Sequence, residues 1–303
     1  MRDVSGKPTT HRTARAEALL RVRPETIEQV RNGTVPKGNV LDVARAAGLL
    51  AAKRTPELIP LCHPIPLAHA EVAFEIRPDA IAVTASVSAV WSTGVEMEAL
   101  TAASIAALTL YDMLKPLDDQ LEIAHVRLLE KRGGKSDRGK APKAIRASVL
   151  VISDSVSAGR RKDASGAEIV AILATHGVSA SAPAAVPDER EVIERTLRRL
   201  SDEEACDLVL TTGGTGLGPR DVTVEATRAV IEREAPGIAE AARGFGQARE
   251  PKAMFSRAIA GVRGRTLIVN LPGSPQGVRE SLAALLPALL HAAAMVAGGG
   301  HPE

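Results

Sequence analysis

What most restricts the fold of this 303-residue chain is the stretch KRGGKSDRGKAPKAIR at 131–146, with seven basic residues against one acidic, three glycines and a proline. Such sequence has no apolar periodicity and offers no face to a core, so one continuous sheet or bundle cannot run through it. It leaves two pieces, each long enough for one domain. The junction is expected at 138–145, between domains at 1–137 and 146–303.

The two pieces differ in rhythm. In the first, 25–32 and 39–53 read as helices, and 70–76 and 80–89 as strands separated by Arg77-Pro78-Asp79. A long Ala-rich helix at 94–114 and a last strand at 121–129 follow. Helices and strands mix without regular alternation, which predicts an α+β sandwich. The second piece alternates: strand 147–152, helix 165–176, strand 178–186, helix 188–200, strand 207–211, helix about 222–232, strand 265–270 and helix 275–296. That order predicts a parallel α/β sandwich whose ligands bind beyond the carboxyl ends of its strands.

Composition removes several classes of function. A net charge of +2 leaves basic surface only locally, and 2% aromatic content is too little for a base-stacking platform, so nucleic acid is not an expected partner. The basic stretch reads equally well as a solvated linker, and no recognition-helix motif accompanies it. Two distant cysteines, Cys62 and Cys206, make neither a disulfide framework nor a paired metal site, and a reducing cytoplasm is expected. The start of the chain is charged and no run reaches the roughly 18 apolar residues of a membrane helix, so no membrane role is expected.

In the first piece the long helix opens with Glu96 and Glu98 and closes with Asp112 and Lys115. The last two stand three residues apart on one face, where they can form a coupled acid/base pair. Glu98 and Asp112 share a face but lie about 21 Å apart along the axis, too far for one small substrate. If all these groups serve one reaction, two subunits must each contribute an end. On the residues alone, the same charges could equally complement the helix dipole. Cys62-His63-Pro64 could be a turn with a structural histidine, and Arg12, Lys37, Lys53 and Lys131 solvated surface.

The strings KRTPELIPLCHP, TGVEMEALTAASIAAL, YDMLK and KRGGKS, after the opening DVSGKP, resemble cyclic pyranopterin monophosphate synthase over about residues 1–137. The resemblance implies a ferredoxin-like α+β fold, assembly as a hexamer, and conversion of a cyclised dihydroguanosine triphosphate into cyclic pyranopterin monophosphate and pyrophosphate. It further implies that Asp112 and Lys115 are the catalytic pair, assisted by His63 and Glu98. Arg12, Lys37, Lys53 and Lys131 would hold phosphates or the guanine-derived ring, with Lys53 or Lys131 also able to move protons. Cys62, Glu96 and Met97 would be substrate contacts. Ring opening, reclosure and cyclic phosphate formation need proton carriers beside a cluster of cations, as these residue types provide.

In the second piece, DLVLTTGGTGLGPRDVT sets Thr212, Gly213, Gly214, Thr215 and Gly216 after a strand and before Asp221 and a helix. Successive small residues let backbone N–H groups face one concavity, which suits phosphate. The Gly-Lys-Ser/Thr ending of a P-loop is missing. Three more loops, SDSVSAGRRKDASG, VPDERE and NLPGSPQGVRES, fall at strand ends. Asp188 and Asp221 are oxygen donors of the kind magnesium prefers, and Asp188 also suits a helix N-cap.

Together these strings resemble the molybdopterin-binding family of molybdopterin adenylyltransferases and their relatives over about 146–297. The resemblance implies an α/β three-layer sandwich, a trimer, and transfer of an adenylyl group from ATP to molybdopterin. Asp188 and Asp221 would be catalytic or magnesium-linked acids. Thr212, Gly213, Gly214, Thr215 and Gly216 would cradle phosphate, while Ser153, Asp163, Ser165, Gly166, Pro272, Gly273 and Ser274 line the pterin or nucleotide site. Magnesium is the one expected cofactor, with no tightly bound organic group. The alternative for this domain is a non-catalytic pterin-binding or scaffolding module; two acids at the family's positions favour the enzyme. The two implied reactions are not consecutive, because sulfur enters the pterin between them, so direct channelling is not required, and the fusion is expected to raise local concentration or fix stoichiometry.

Overall fold

The computed structural model describes residues 1–134, 145–286 and 288–298. The chain falls into two compact units, Met1–Arg138 and Gly139–Glu303. The expected linker at 138–145 lies outside the described residues up to 144.

The first unit runs β1 (Thr10–Arg21), α1 (Pro24–Asn32), α2 (Val40–Lys53), α3 (Thr55–Leu58), β2 (His69–Ile76), β3 (Ala80–Trp91), α4 (Glu96–Leu114) and β4 (Glu122–Arg132). Its four strands form an antiparallel sheet in the order β2-β3-β1-β4. The sequence reading leaves β1 unassigned, yet it is a central strand, paired with β3 from Thr10 opposite Trp91 to Arg21 opposite Ala80. Its segment ARAEALL is made of strong helix formers, and a ladder on both sides overrides that preference. Ala14, Ala16, Ala18 and Leu20 alternate into the core, leaving His11, Arg15 and Glu17 toward the other face.

Against the buried face lies α4, whose Ala99, Ala102, Ala103, Ala106 and Ala107 are fully buried or nearly so. Its 19 residues and mean hydropathy would suit a membrane span, but it is the core helix of this unit. Small side chains let α2 come close. A Cβ on Gly48 would sit 3.0 Å from the Ala102 carbonyl and 3.2 Å from Ala106 Cβ, so glycine sets the helix spacing there. Because Lys37, just ahead of α2, touches Asp112 at the end of α4, the two helices run antiparallel.

The second unit contains β5 (Ala147–Ile152), α5 (Asp154–Ser157), α6 (Ser165–Thr175), β6 (Ala184–Val186), α7 (Arg190–Arg198), β7 (Leu208–Thr212), α8 (Thr223–Val230), β8 (Arg233–Glu234), α9 (Pro236–Gln247), β9 (Ala260–Arg263), β10 (Thr266–Leu271), α10 (Pro275–Leu285) and α11 (Ala288–Val296). The sheet order is β6-β5-β7-β10-β9-β8. Leu150, Ile152, Val209 and Ile268 pack on α7 and α8; Val149, Leu208, Leu210, Leu267 and Val269 pack on α6, α10 and α11. Alternate residues of buried strands thus feed two helical layers, giving a three-layer α/β sandwich.

Four expectations need correction. The sheet is mixed, because β9 and β8 add antiparallel strands at one edge. The strand expected at 178–186 is confined to Ala184–Val186, with one isolated bridge at Ala180. The helix expected at 275–296 is two helices: Leu286 takes an extended conformation (φ −81°, ψ 139°), as a residue preceding proline prefers, and Pro287 itself lies outside the described residues. The stretch 233–263, for which the sequence predicts no elements, holds β8, α9, a 3-10 turn at Pro251–Phe255 and β9.

Candidate active sites

In the first unit the expected residues collect at the two ends of α4. At the C-terminal end, the Asp112 carboxylate lies between two ammonium groups, Lys115 Nζ at 2.7 Å and Lys37 Nζ at 3.3 Å. Lys37 Nζ also donates to the Asp112 carbonyl at 2.8 Å, which fixes it over the last turn. Hydrogen bonds from Lys115 and then Lys37 hold the Asp112 carboxyl below the usual carboxylate range, and Asp112 in turn raises the Lys115 ammonium. An ionised acid and a proton donor therefore stand side by side, open to solvent.

At the N-terminal end, Glu98 is only 2% exposed and its Oε2 has no hydrogen-bond partner among the described residues. Burial, with a smaller push from the Glu96 charge, raises its pKa. Cys62 lies near enough that burial and then the Glu98 charge raise its thiol too. Lys131 Nζ is 3.2 Å from Glu96 Oε1. Lys53 ends α2 and so falls at this same end, with Met97 half-exposed in the first turn of α4. Arg12 is buried and donates from Nε to the Trp91 carbonyl at 3.2 Å. Gly133 and Gly134 pass directly over it: a Cβ on Gly134 would stand 1.7 Å from Arg12 Nη1. The paired glycines of KRGGKS are therefore there for close approach. His63 Nε2 bonds the Arg2 carbonyl at 2.8 Å, tying the turn to the start of the chain.

In the second unit β5, β7 and β10 end together, and the loops leaving them meet. Asp154 and Asp188 lock each other: the Asp154 N–H donates to Asp188 Oδ2 at 2.8 Å, and the Asp188 N–H to Asp154 Oδ1 at 3.0 Å. Arg220 Nη2 donates to both Asp154 oxygens, at 2.8 and 2.7 Å, and holds that carboxyl low. Asp188 is raised, first by burial and further by the charges of Asp154 and Asp221. A Cβ on Gly214 would meet Asp188 Oδ1 at 3.3 Å, and one on Gly216 would meet Asp221 Oδ2 at 2.9 Å, so both acids border the glycine loop.

Beside this loop opens a cavity of about 520 Å³, lined by Gly214, Thr215, Gly216, Asp221, Pro272, Gly273 and Ser274 and by residues of the 239–258 segment and α10. The other expected residues surround the strand ends without lining it, and several of the expected residues, Ser274 of the lining included, are committed locally. Ser153 and Ser274 cap α5 and α10, and Asp163 accepts from Gly166 N and Ala167 N at 2.9 and 3.1 Å. Ser165 Oγ donates to the Gly273 carbonyl and Thr212 Oγ1 to that of Pro272, both at 2.7 Å. Sequence alone gives no role to Asp154, Arg220, Arg243, Lys252 or Phe255. Arg243 lies on α9 and Lys252 and Phe255 on the 3-10 turn after it; the sequence signal for α9 is Pro236 at the first turn of an amphipathic run.

Residues 1–134 match the MoaC family and residues 148–291 match a family described as probable molybdopterin binding domain. The chain is thus a molybdenum-cofactor biosynthesis protein of two fused units. It belongs to the bifunctional members: it is 44% identical over 301 residues to the "Molybdenum cofactor biosynthesis bifunctional protein" of Chlorobaculum tepidum, covering 99% of this chain and 96% of that one. Its first unit is 57% identical over 138 residues, 45% of this chain and 86% of the relative, to a cyclic pyranopterin monophosphate synthase of Geotalea uraniireducens. A crystal structure of the molybdopterin biosynthesis enzyme MoaB of Thermus thermophilus is 50% identical with a TM-score of 0.49, over 51% of this chain and 97% of that one.

Proposed function

We propose that the first unit is a cyclic pyranopterin monophosphate synthase, converting the cyclised dihydroguanosine triphosphate to cyclic pyranopterin monophosphate and pyrophosphate. Its β-α-β-β-α-β order and all-antiparallel sheet support a ferredoxin-like reading. The observation that carries the assignment is Asp112 held between Lys37 and Lys115, an acid/base pair beside a cation. Proton transfer falls to Asp112 and Lys115, phosphate binding to Lys37, Lys53, Lys131 and Arg12, and the buried Glu98, whose pKa burial raises, assists together with His63. The two clusters sit at opposite ends of α4, fourteen residues from Glu98 to Asp112 and about 21 Å along the axis. One active site therefore draws one end from each of two subunits of a homo-oligomer. Asp112→Ala should abolish pyranopterin formation, a loss of at least 10² to 10⁴ on the order expected for one acid/base group, with the melting temperature unchanged. Full activity in that variant removes the assignment.

The second unit is read as a molybdopterin adenylyltransferase, a trimer acting on ATP and molybdopterin. The carrying observation is the pair Asp188 and Asp221 flanking an N–H-rich loop at the mouth of the cavity. Among the described residues no cluster of three or more His, Cys, Asp or Glu side chains could hold an ion by itself. Within that same set, Asp188 and Asp221 each keep one carboxylate oxygen without a protein partner, a donor set that fits magnesium arriving with nucleotide phosphates. Magnesium so held would neutralise phosphate charge during transfer. The glycine loop orients the phosphates. Pyrophosphate release from ATP, magnesium and molybdopterin tests this; none would make the unit a pterin-binding module. Two free thiols, Cys62 and Cys206, suit a reducing cytoplasm.

A further inference from the structure

A glycine loop binds anions through its N–H groups only if its carbonyl oxygens are turned away. Here they all are. Thr223 takes the first two, its hydroxyl donating to the Gly213 carbonyl at 2.9 Å and its N–H to that of Gly214 at 3.2 Å. Arg257 takes the rest. Its N–H donates to the Thr215 carbonyl at 2.9 Å, its Nε to Gly216 at 2.7 Å and its Nη2 to Asp221 at 2.5 Å. Glu225 of α8 grips the far side of the guanidinium, with Oε1 2.5 Å from Nη1 and Oε2 3.4 Å from Nη2.

A trans peptide points its C=O and the following N–H in opposite directions. The Thr215 carbonyl drawn toward Arg257 therefore sends the Gly216 N–H away from it, and the Gly216 carbonyl does the same for Leu217. Among the described residues no acceptor takes the N–H groups of 214–217, while Gly214, Thr215 and Gly216 line the cavity. Arg257 does not line it. Its neighbours Phe255, Ser256 and Ala258 do, so the guanidinium works from behind the wall.

We propose that Arg257, held by Glu225, is a positioning residue that shapes the 214–217 loop into the cradle for nucleotide phosphates. The inference rests on reading that loop as phosphate-binding. It requires the fork of a guanidinium, because the Gly216 carbonyl, the Asp221 carbonyl and the Glu225 carboxylate are each taken by a different nitrogen, which one ammonium cannot do, while the backbone N–H of Arg257 holds the Thr215 carbonyl.

The test uses the full chain as wild type, Arg257→Lys and Glu225→Gln. Each is titrated with Mg-ATP and separately with molybdopterin by calorimetry, melted, and assayed for pyrophosphate release. Arg257→Lys keeps charge and stem, so it should melt with the wild type and keep molybdopterin affinity. Its Mg-ATP affinity should fall on the order of a hundredfold, with a raised KM for ATP and a lower kcat, the scale of a misplaced binding group. Glu225→Gln should lose about tenfold. Arg257→Lys binding Mg-ATP like wild type overturns the proposal, as does equal loss of both ligands, which would mark a general structural role. A wild type that binds no Mg-ATP removes the phosphate cradle and this inference with it. A wild type that binds Mg-ATP but releases no pyrophosphate removes only adenylyl transfer, and the Mg-ATP titrations still decide the role of Arg257.

Discussion

Gly213→Ala offers a sharp test of how the second unit builds its loop. Gly213 has φ +101°, and a Cβ there would come within 2.2 Å of the Ile152 carbonyl oxygen at the end of β5. Two costs add. Alanine in that backbone region costs about 1 to 3 kcal/mol. Relieving the overlap costs about another 1 to 3 kcal/mol, because the atom met is backbone of a buried strand that has no rotamer to change. Against these, alanine lowers the entropy of the unfolded chain by about 0.4 to 1 kcal/mol. A net loss of about 3 kcal/mol is expected, which at a urea slope of about 2 kcal/mol/M moves the midpoint down by about 1.5 M. The chain's one tryptophan and one tyrosine, Trp91 and Tyr111, lie in the first unit. Urea denaturation followed by far-ultraviolet circular dichroism should therefore show the second unit's transition shifted, while Trp91 fluorescence reports the untouched unit. A shift under about 0.3 M would mean that the ends of β5 and β7 yield freely, and the rigid-loop argument would fail.

Three further outcomes are expected. Glu98→Gln should alter the pH dependence of stability: the native carboxyl titrates above its ordinary value, so wild type loses stability as pH rises from the unfolded value through the raised native one. The variant should lack that slope and be the more stable at about pH 8, the two converging at about pH 4; parallel profiles by thermal melting would contradict the burial argument. Asn270→Ala should cost about 3 kcal/mol in urea, since its amide donates to the Thr211 and Thr227 hydroxyls at 2.9 Å each and accepts from the Ile259 N–H at 3.3 Å, all buried. Arg220→Ala should lower pyrophosphate release more than Mg-ATP binding, because the loss falls on the Asp154 and Asp188 lock rather than on the phosphate loop; unchanged kcat would show the lock idle.

Much of this was legible because some signals are local. The acids at both ends of α4 lie in one helical run, so their face and separation follow from the rise per residue. The strands β5, β7 and β10 are unbroken apolar runs ending in small polar residues, which marks where ligands gather. What escaped depends on distant partners. An Ala-rich β1 is a strand only because β3 and β4 flank it. The strands β8 and β9 are two and four residues long, too short to display a period. Arg257 serves carbonyls 41 and 36 residues before it, and no spacing rule connects them.

Placing the two clusters at opposite ends of α4 has a consequence for inheritance. If each active site combines the Glu98 end of one subunit with the Asp112 end of another, a subunit damaged at one end still lends a sound other end. Two alleles, one altered at Glu98 and one at Asp112, would each be silent alone. Expressed together, they would form mixed assemblies in which some sites receive two intact halves, and pyranopterin synthesis would return in part from two broken genes.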